Sequence, residues 1–201
     1  MASEVDICNL ALSHLGDDAT VAALDPPEGS VQADHCARFY PMARDALLEM
    51  HEWNFATKRV ALADLGSDWD QWGYAYAKPN NMLKALAVLP AGAGADTETQ
   101  PYAIEVNADD ADVIYTNQEG AVLRFISRVT DPTKFSPLFV EALTWLLASK
   151  LAGPVLKGET GAAAAKAAFQ MFGTQFRLAI TSDANQQRKQ PEAQAAWIAG
   201  R

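Results

Sequence analysis

Residues 101–128 read PYAIEVNADDADVIYTNQEGAVLRFISR, and their pattern sets the fold class. Short apolar runs (Ile104 to Val106, Val113-Ile114, Val122 to Ile126) alternate with turn-forming residues such as Glu119-Gly120. Runs of this length, punctuated in this way, predict antiparallel strands and hairpins. The same character extends upstream to Val60 and Leu62, with separators at Leu65-Gly66-Ser67-Asp68, Lys78-Pro79-Asn80-Asn81 and Pro90 to Gly94. Leu83 to Leu89 fits either a strand or a helix on pattern, and a strand is expected. The β region therefore spans about 55–128.

On either side the period is helical. Ser3 to Leu15 carries Val5, Ile7, Cys8, Leu10, Ala11, Leu12 and Leu15 on a wide stripe. Ser3 caps it, with Asp6 three residues later in the capping-box position, and Gly16 stops it. A second helix is expected over about 30–52, from Cys36, Phe39, Tyr40, Ala43, Ala46, Leu47 and Met50, with a kink or break at Pro41. A third runs over about 136–152. Ser136 caps it, Pro137 takes its first position, Phe135 and Val140 form a staple, and Gly153-Pro154 ends it. A fourth spans about 160–181, where four consecutive alanines favour helix and Ala165, Phe169, Phe172, Phe176 and Ile180 share one stripe. These elements predict a mainly α (α+β) domain over 1–182: a four-helix bundle core with an inserted antiparallel β-hairpin region. Residues 183–201 form an extended, polar C-terminal tail.

Composition narrows the functions. The chain has 201 residues, 49% hydrophobic and 20% charged, which is globular composition. No apolar run approaches the roughly 18 residues needed to cross a bilayer. The first residues carry acids where a signal peptide carries bases, so an intracellular product without a membrane is expected. Cys8 and Cys36 make no disulfide framework and read as buried thiols. Residues 1–120 hold 20 acids and 6 bases, net −14, and residues 121–201 hold 5 acids and 10 bases, net +5. An acidic front opposes phosphate binding, and the split suits self-association.

No constellation of chemistry stands out. His14, His35 and His51 lack ligand spacing with the cysteines, and no H-E-x-x-H occurs. Asp109, Asp110 and Asp112, and Asp64, Asp68 and Asp70, do not match a calcium loop and suit strand turns. Nucleophile elbows and phosphate loops are lacking, and Gly92-Ala93-Gly94 is followed by no helix. No cofactor, no metal and no catalysis are expected. The aromatic concentration Trp53, Trp69, Trp72, Tyr74 and Tyr76 reads as a core or a subunit interface, and these five are the candidate ring-interface residues. At the other end, Trp197 and Ile198 follow a polar linker, an arrangement expected of a docking peptide.

Three stretches carry a family resemblance: Asp6-Ile7-Cys8-Asn9-Leu10-Ala11-Leu12 with His14-Leu15-Gly16; Phe39-Tyr40-Pro41-Met42-Ala43-Arg44-Asp45-Ala46-Leu47-Leu48; and Trp53-Asn54-Phe55-Ala56. With Tyr74-Ala75-Tyr76 before Pro79 and the closing Trp197-Ile198, they resemble phage head–tail adaptors, the group of tail tubular protein A relatives and gene transfer agent adaptors. The resemblance runs in order along nearly the whole chain. It implies a homo-oligomeric ring, typically twelve copies, beneath the portal protein in a virion assembled in a bacterial cytoplasm. Tail or nozzle proteins would lie below, and double-stranded DNA would pass through the centre. It also implies portal docking by the C-terminal segment, with Arg188, Trp197, Ile198 and Arg201 as the candidate residues. Part of the acidic excess is expected to face the channel. The alternatives are a helical nucleic-acid-binding packaging or regulatory protein, marked by a basic recognition helix, and a hydrolase with a carboxylate pair.

Overall fold

A computed structural model describes residues 2–66, 71–93 and 98–186. Helix α1 (Glu4–Ser13) starts at a complete capping box: the Ser3 hydroxyl accepts from the Asp6 amide at 3.1 Å, and the Asp6 carboxylate accepts from the Ser3 amide at 2.8 Å. These two bonds satisfy amides that a helix start otherwise leaves orphaned. The Asn9 side chain then pins the returning loop, donating to the Val21 carbonyl at 2.9 Å and accepting from the Val21 amide at 2.8 Å. Helix α2 (Val31–Met50), capped by Ser30, runs unbroken through Pro41. Of the expected kink or break, no break occurs. Proline removes one helical hydrogen bond, and Ala43, Leu47 and Leu48 bury the next two turns.

Six strands follow: β1 (Thr57–Ala61), β2 (Tyr74–Ala77), β3 (Met82–Leu89), β4 (Tyr102–Val106), β5 (Asp112–Thr116) and β6 (Val122–Ser127). They form two three-stranded antiparallel sheets, ordered β1-β6-β3 and β2-β5-β4. Val88, Leu123 and Phe125 of the first sheet meet Tyr76 and Ile114 of the second in a core of their own. Both edges are stitched. The chain beyond β1 bonds to β2 (Leu65 amide to Ala75 carbonyl, 2.8 Å), and the Gln100 amide, ahead of β4, bonds to the Val88 carbonyl of β3 at 2.8 Å. The Asp109-Asp110 pair sits in the β4–β5 turn, where the Asn107 side chain accepts from the amides of Asp109 and Ala111.

A 3-10 turn at Pro132–Lys134 leads into α3 (Pro137–Leu156), capped by Ser136. Gly153-Pro154 does not end it; the helix closes at Lys157, whose φ is +57°, and α4 (Gly158–Ala184) turns back immediately. Pro154 lies in the last turn, where few bonds remain to be lost. Gly161 is required at the crossing. A Cβ there would stand 2.9 Å from the Ala152 carbonyl oxygen and 3.3 Å from the Gly153 Cα.

The architecture is α+β and corrects the expected four-helix bundle with an inserted hairpin. Among the helices α4 packs along α3 alone, while α1 and α2 pack on α3 elsewhere, so α3 is a central layer and no four-sided bundle closes. The β region holds enough inward apolar residues to build two sheets with a separate core, which one hairpin cannot do. Central placement also explains α3's composition. It is long and apolar enough to cross a bilayer by length and composition, contrary to the reading that no run approaches that length, and half of its apolar window is buried within the fold. The helices and the first sheet share one core, with Ile126 among Trp53, Phe139 and Leu147. Two arginines tie the sheet to the end of α2: Arg124 to Glu52 at 3.2 Å and Arg128 to Asp45 at 2.8 Å.

Candidate interaction surface

Two of the expected ring-interface residues are core residues. Trp53 is fully buried; its indole donates to the Leu47 carbonyl at 2.9 Å and stands edge-on to Phe139 at 5.0 Å and His51 at 4.8 Å. Tyr76 is 1% exposed, and its hydroxyl donates to the Gln118 carbonyl at 2.8 Å. Neither has surface to offer a neighbour, because a large aromatic ring gains most by leaving water altogether once its polar tip finds a partner. Tyr74 is half-buried and stacks on Tyr76. Trp72, also half-buried, packs with Ala75, Val113 and Tyr115 on the opposite face of the second sheet. Trp69 lies outside the described residues, as do Arg188, Trp197, Ile198 and Arg201.

Cys8, Cys36 and His14 lie within the packing of the helices. Cys8 and Cys36 are buried against each other; the hydrogen bond with Cys36 and burial push the Cys8 thiol up. His14 stacks on Trp145 at 3.8 Å and lies 3.3 Å from the Thr144 hydroxyl; burial lowers its pKa, opposed by Glu141. Among the described residues, no group of three or more His, Cys, Asp or Glu could hold a metal ion. A cleft of about 580 Å³ lies along Leu65, Pro79 and Met82, where Lys78 and Asp112 pair at 2.6 Å. Its described lining residues include no nucleophile next to a base, the arrangement that nucleophilic catalysis requires.

Asp183, assigned to the tail, is 6% exposed in the last turn of α4. Its carboxylate accepts from the Asn54 amide at 3.1 and 3.2 Å, and its carbonyl accepts from the Asn54 side chain at 2.7 Å. The signal for it is the spacing Ala168, Phe172, Ala179, Asp183, which continues the buried stripe of α4 by one turn.

That stripe also differs from the predicted one. Gly161, Ala168, Phe172, Ala179 and Asp183 are the buried residues of α4, and Phe169 is 56% exposed. Small residues face α3 because the two helices approach closely at Gly161, which leaves the larger apolar side chains on the flanks. Met171 (41% exposed) and Leu178 (52%) are exposed on the flank opposite Phe169, and Lys166 and Arg177 are exposed cations of the same helix, on a different side from Met171 and Leu178. The α1–α2 stretch is rich in acids. Residues 2–52 contain ten acids and two bases, and one of those bases, Arg44, is buried against Asp45.

No protein-family model matches this chain, and no curated protein matches it at a significant level.

Proposed function

We propose that the chain is a structural subunit, the ring-forming head–tail adaptor of a tailed phage or phage-like particle, with no reaction of its own. One observation carries this reading: the residues on which the adaptor resemblance rests are the ones that build the frame. Asp6 closes the cap of α1 and Asn9 pins the loop after it. Tyr40 and Arg44 stack inside α2, and Trp53 and Asn54 join that helix to the sheet and to the end of α4. Such a resemblance is one of scaffold, as expected of a protein whose task is shape.

In this reading the helices form the ring wall and the β unit projects toward the tail. Residues 187–201 reach the portal. The acidic balance, net −9, keeps passing DNA from adhering, since a channel wall short of Lys and Arg releases few counterions from phosphates. The test is electron microscopy of the purified chain, alone and with its portal, together with a chain truncated after Gln186. Rings or portal-bound particles are expected from the full chain, with portal attachment lost on truncation. A full chain that neither forms rings nor binds portal would refute the proposal.

A further inference from the structure

We propose that Cys8 of α1 and Cys36 of α2 are a closable pair, which a small-molecule disulfide oxidises to an intramolecular bond that staples the two helices together. The inference does not rest on the adaptor reading, because the bond forms or fails within a single chain.

Contacts between the helices fix the pair from both ends. Helices α1 and α2 run antiparallel. Arg44, late in α2, reaches Glu4 at the start of α1 at 3.9 Å, and Gln32, at the start of α2, donates to Asp17 beyond the end of α1 at 3.3 Å. Cys8 and Cys36 lie between these two ties, and their thiols are hydrogen-bonded to each other. Both are 0% exposed, as are Ala11 and Ala33, each three residues from one of the cysteines and so on its face of the helix. Side chains this small let helix backbones come close, and the Cα atoms of α1 and α2 approach within 8 Å. Sulfurs held in contact between two packed helices need only a short approach to reach the bond length of about 2.05 Å.

Closing the pair sacrifices little, since a thiol is a weak donor and a weak acceptor. Among the described residues, no group of His, Cys, Asp or Glu forms a metal site that would compete for the thiols. The effect on the fold is larger. Helices α1 and α2 otherwise pack mainly on α3, and the bond would close a loop of about 30 residues, removing conformations from the unfolded chain.

The chemistry is thiol–disulfide exchange. The Cys36 thiolate, which accepts the hydrogen bond of the Cys8 thiol, attacks one sulfur of the oxidant and expels the other half as a thiol. Cys8 then loses its proton and attacks the Cys36 sulfur of the mixed disulfide, expelling the second half. The chain loses two hydrogens and the oxidant becomes two thiols. Burial confines the first attack to moments when α1 opens from α2, so the bond forms slowly and is then shielded. A reducing cytoplasm keeps both thiols, and an oxidising medium closes them.

The test equilibrates full-length chain with oxidised and reduced glutathione over a series of ratios, both folded and in denaturing urea. The bond is read as a loss of two hydrogens in mass and as a joined Cys8–Cys36 peptide after digestion without reductant. The folded chain should be half oxidised at a level of glutathione disulfide about a hundredfold lower than the unfolded chain requires. The oxidised form should melt about 5 °C or more above the reduced form, and reductant should reverse the shift. Cys8→Ala and Cys36→Ala, each compared with itself between the two buffers, should show no gain. Chains joined to one another, a mixed disulfide with glutathione as the end state, equal ratios for folded and unfolded chain, or an oxidised form that melts lower would each overturn the proposal.

Discussion

Replacing Asp183 by alanine tests the join between the end of α4 and the strand region. The Asp183 carboxylate accepts the Asn54 amide through both oxygens, at 3.1 and 3.2 Å, in a site where the side chain is almost wholly buried. Alanine leaves the bond from the Asn54 side chain to the residue 183 carbonyl, 2.7 Å in the native chain, because that acceptor is backbone. It removes the charged acceptor of that amide in a partly buried position. A hydrogen bond to a charged group contributes about 1.5–3 kcal/mol. Relief of the carboxylate's desolvation offsets part of the loss, so the expected change is about 2 kcal/mol. Asp183→Asn keeps the shape and one neutral acceptor, and should lose about half as much. Urea unfolding at neutral pH measures both through the midpoint at constant slope. If Asp183→Ala lies within about 0.5 kcal/mol of wild type, a typical surface effect, the join contributes nothing and the account of α4's end is wrong.

Other expectations follow from single contacts. Asn9→Ala removes both bonds to Val21 and should cost about 1–3 kcal/mol, with faster amide exchange in residues 17–29; unchanged exchange would show that the loop is held otherwise. Lys157 sits at φ +57°, ψ 164°, a region almost confined to glycine, so Lys157→Gly should raise stability by about 1 kcal/mol in thermal unfolding. Because burial lowers the pKa of His14 from its usual 6.5, the folded chain resists a proton that the unfolded chain accepts. That share of stability is present above pH 6.5 and is lost as pH falls below it, toward the folded pKa. His14→Phe, which keeps the stack on Trp145, should therefore flatten the stability profile between pH 7.5 and 5.5, and an identical profile would exclude His14 as its source. The buried thiols of Cys8 and Cys36 should resist an aromatic disulfide reagent in the native chain and react in full once it is unfolded; rapid native reaction of both would contradict their burial.

Local features were legible in the sequence by itself. The capping box at Ser3, the Ser136-Pro137 start of α3 and the strand character of residues 82–127 rest on interactions within a few residues, and short-range chemistry is written directly in short-range sequence. What lay beyond reach was non-local. Whether Pro41 and Pro154 would break their helices depended on how much burial the surrounding turns gain elsewhere. The pairing of six strands into two sheets, joined at Leu65–Ala75 and Val88–Gln100, was decided by contacts across the fold. So were the place of α3 between α4 and the α1–α2 pair, the inward turn of Trp53 and Tyr76, and the outward turn of Phe169. A helical period identifies an apolar stripe but does not say which of two adjacent apolar faces meets a partner, because that choice is settled by the shape of the helix opposite. Here Gly161, pressed on the Ala152 carbonyl, draws α4 against α3 along its small residues and leaves Met171 and Leu178 in solvent.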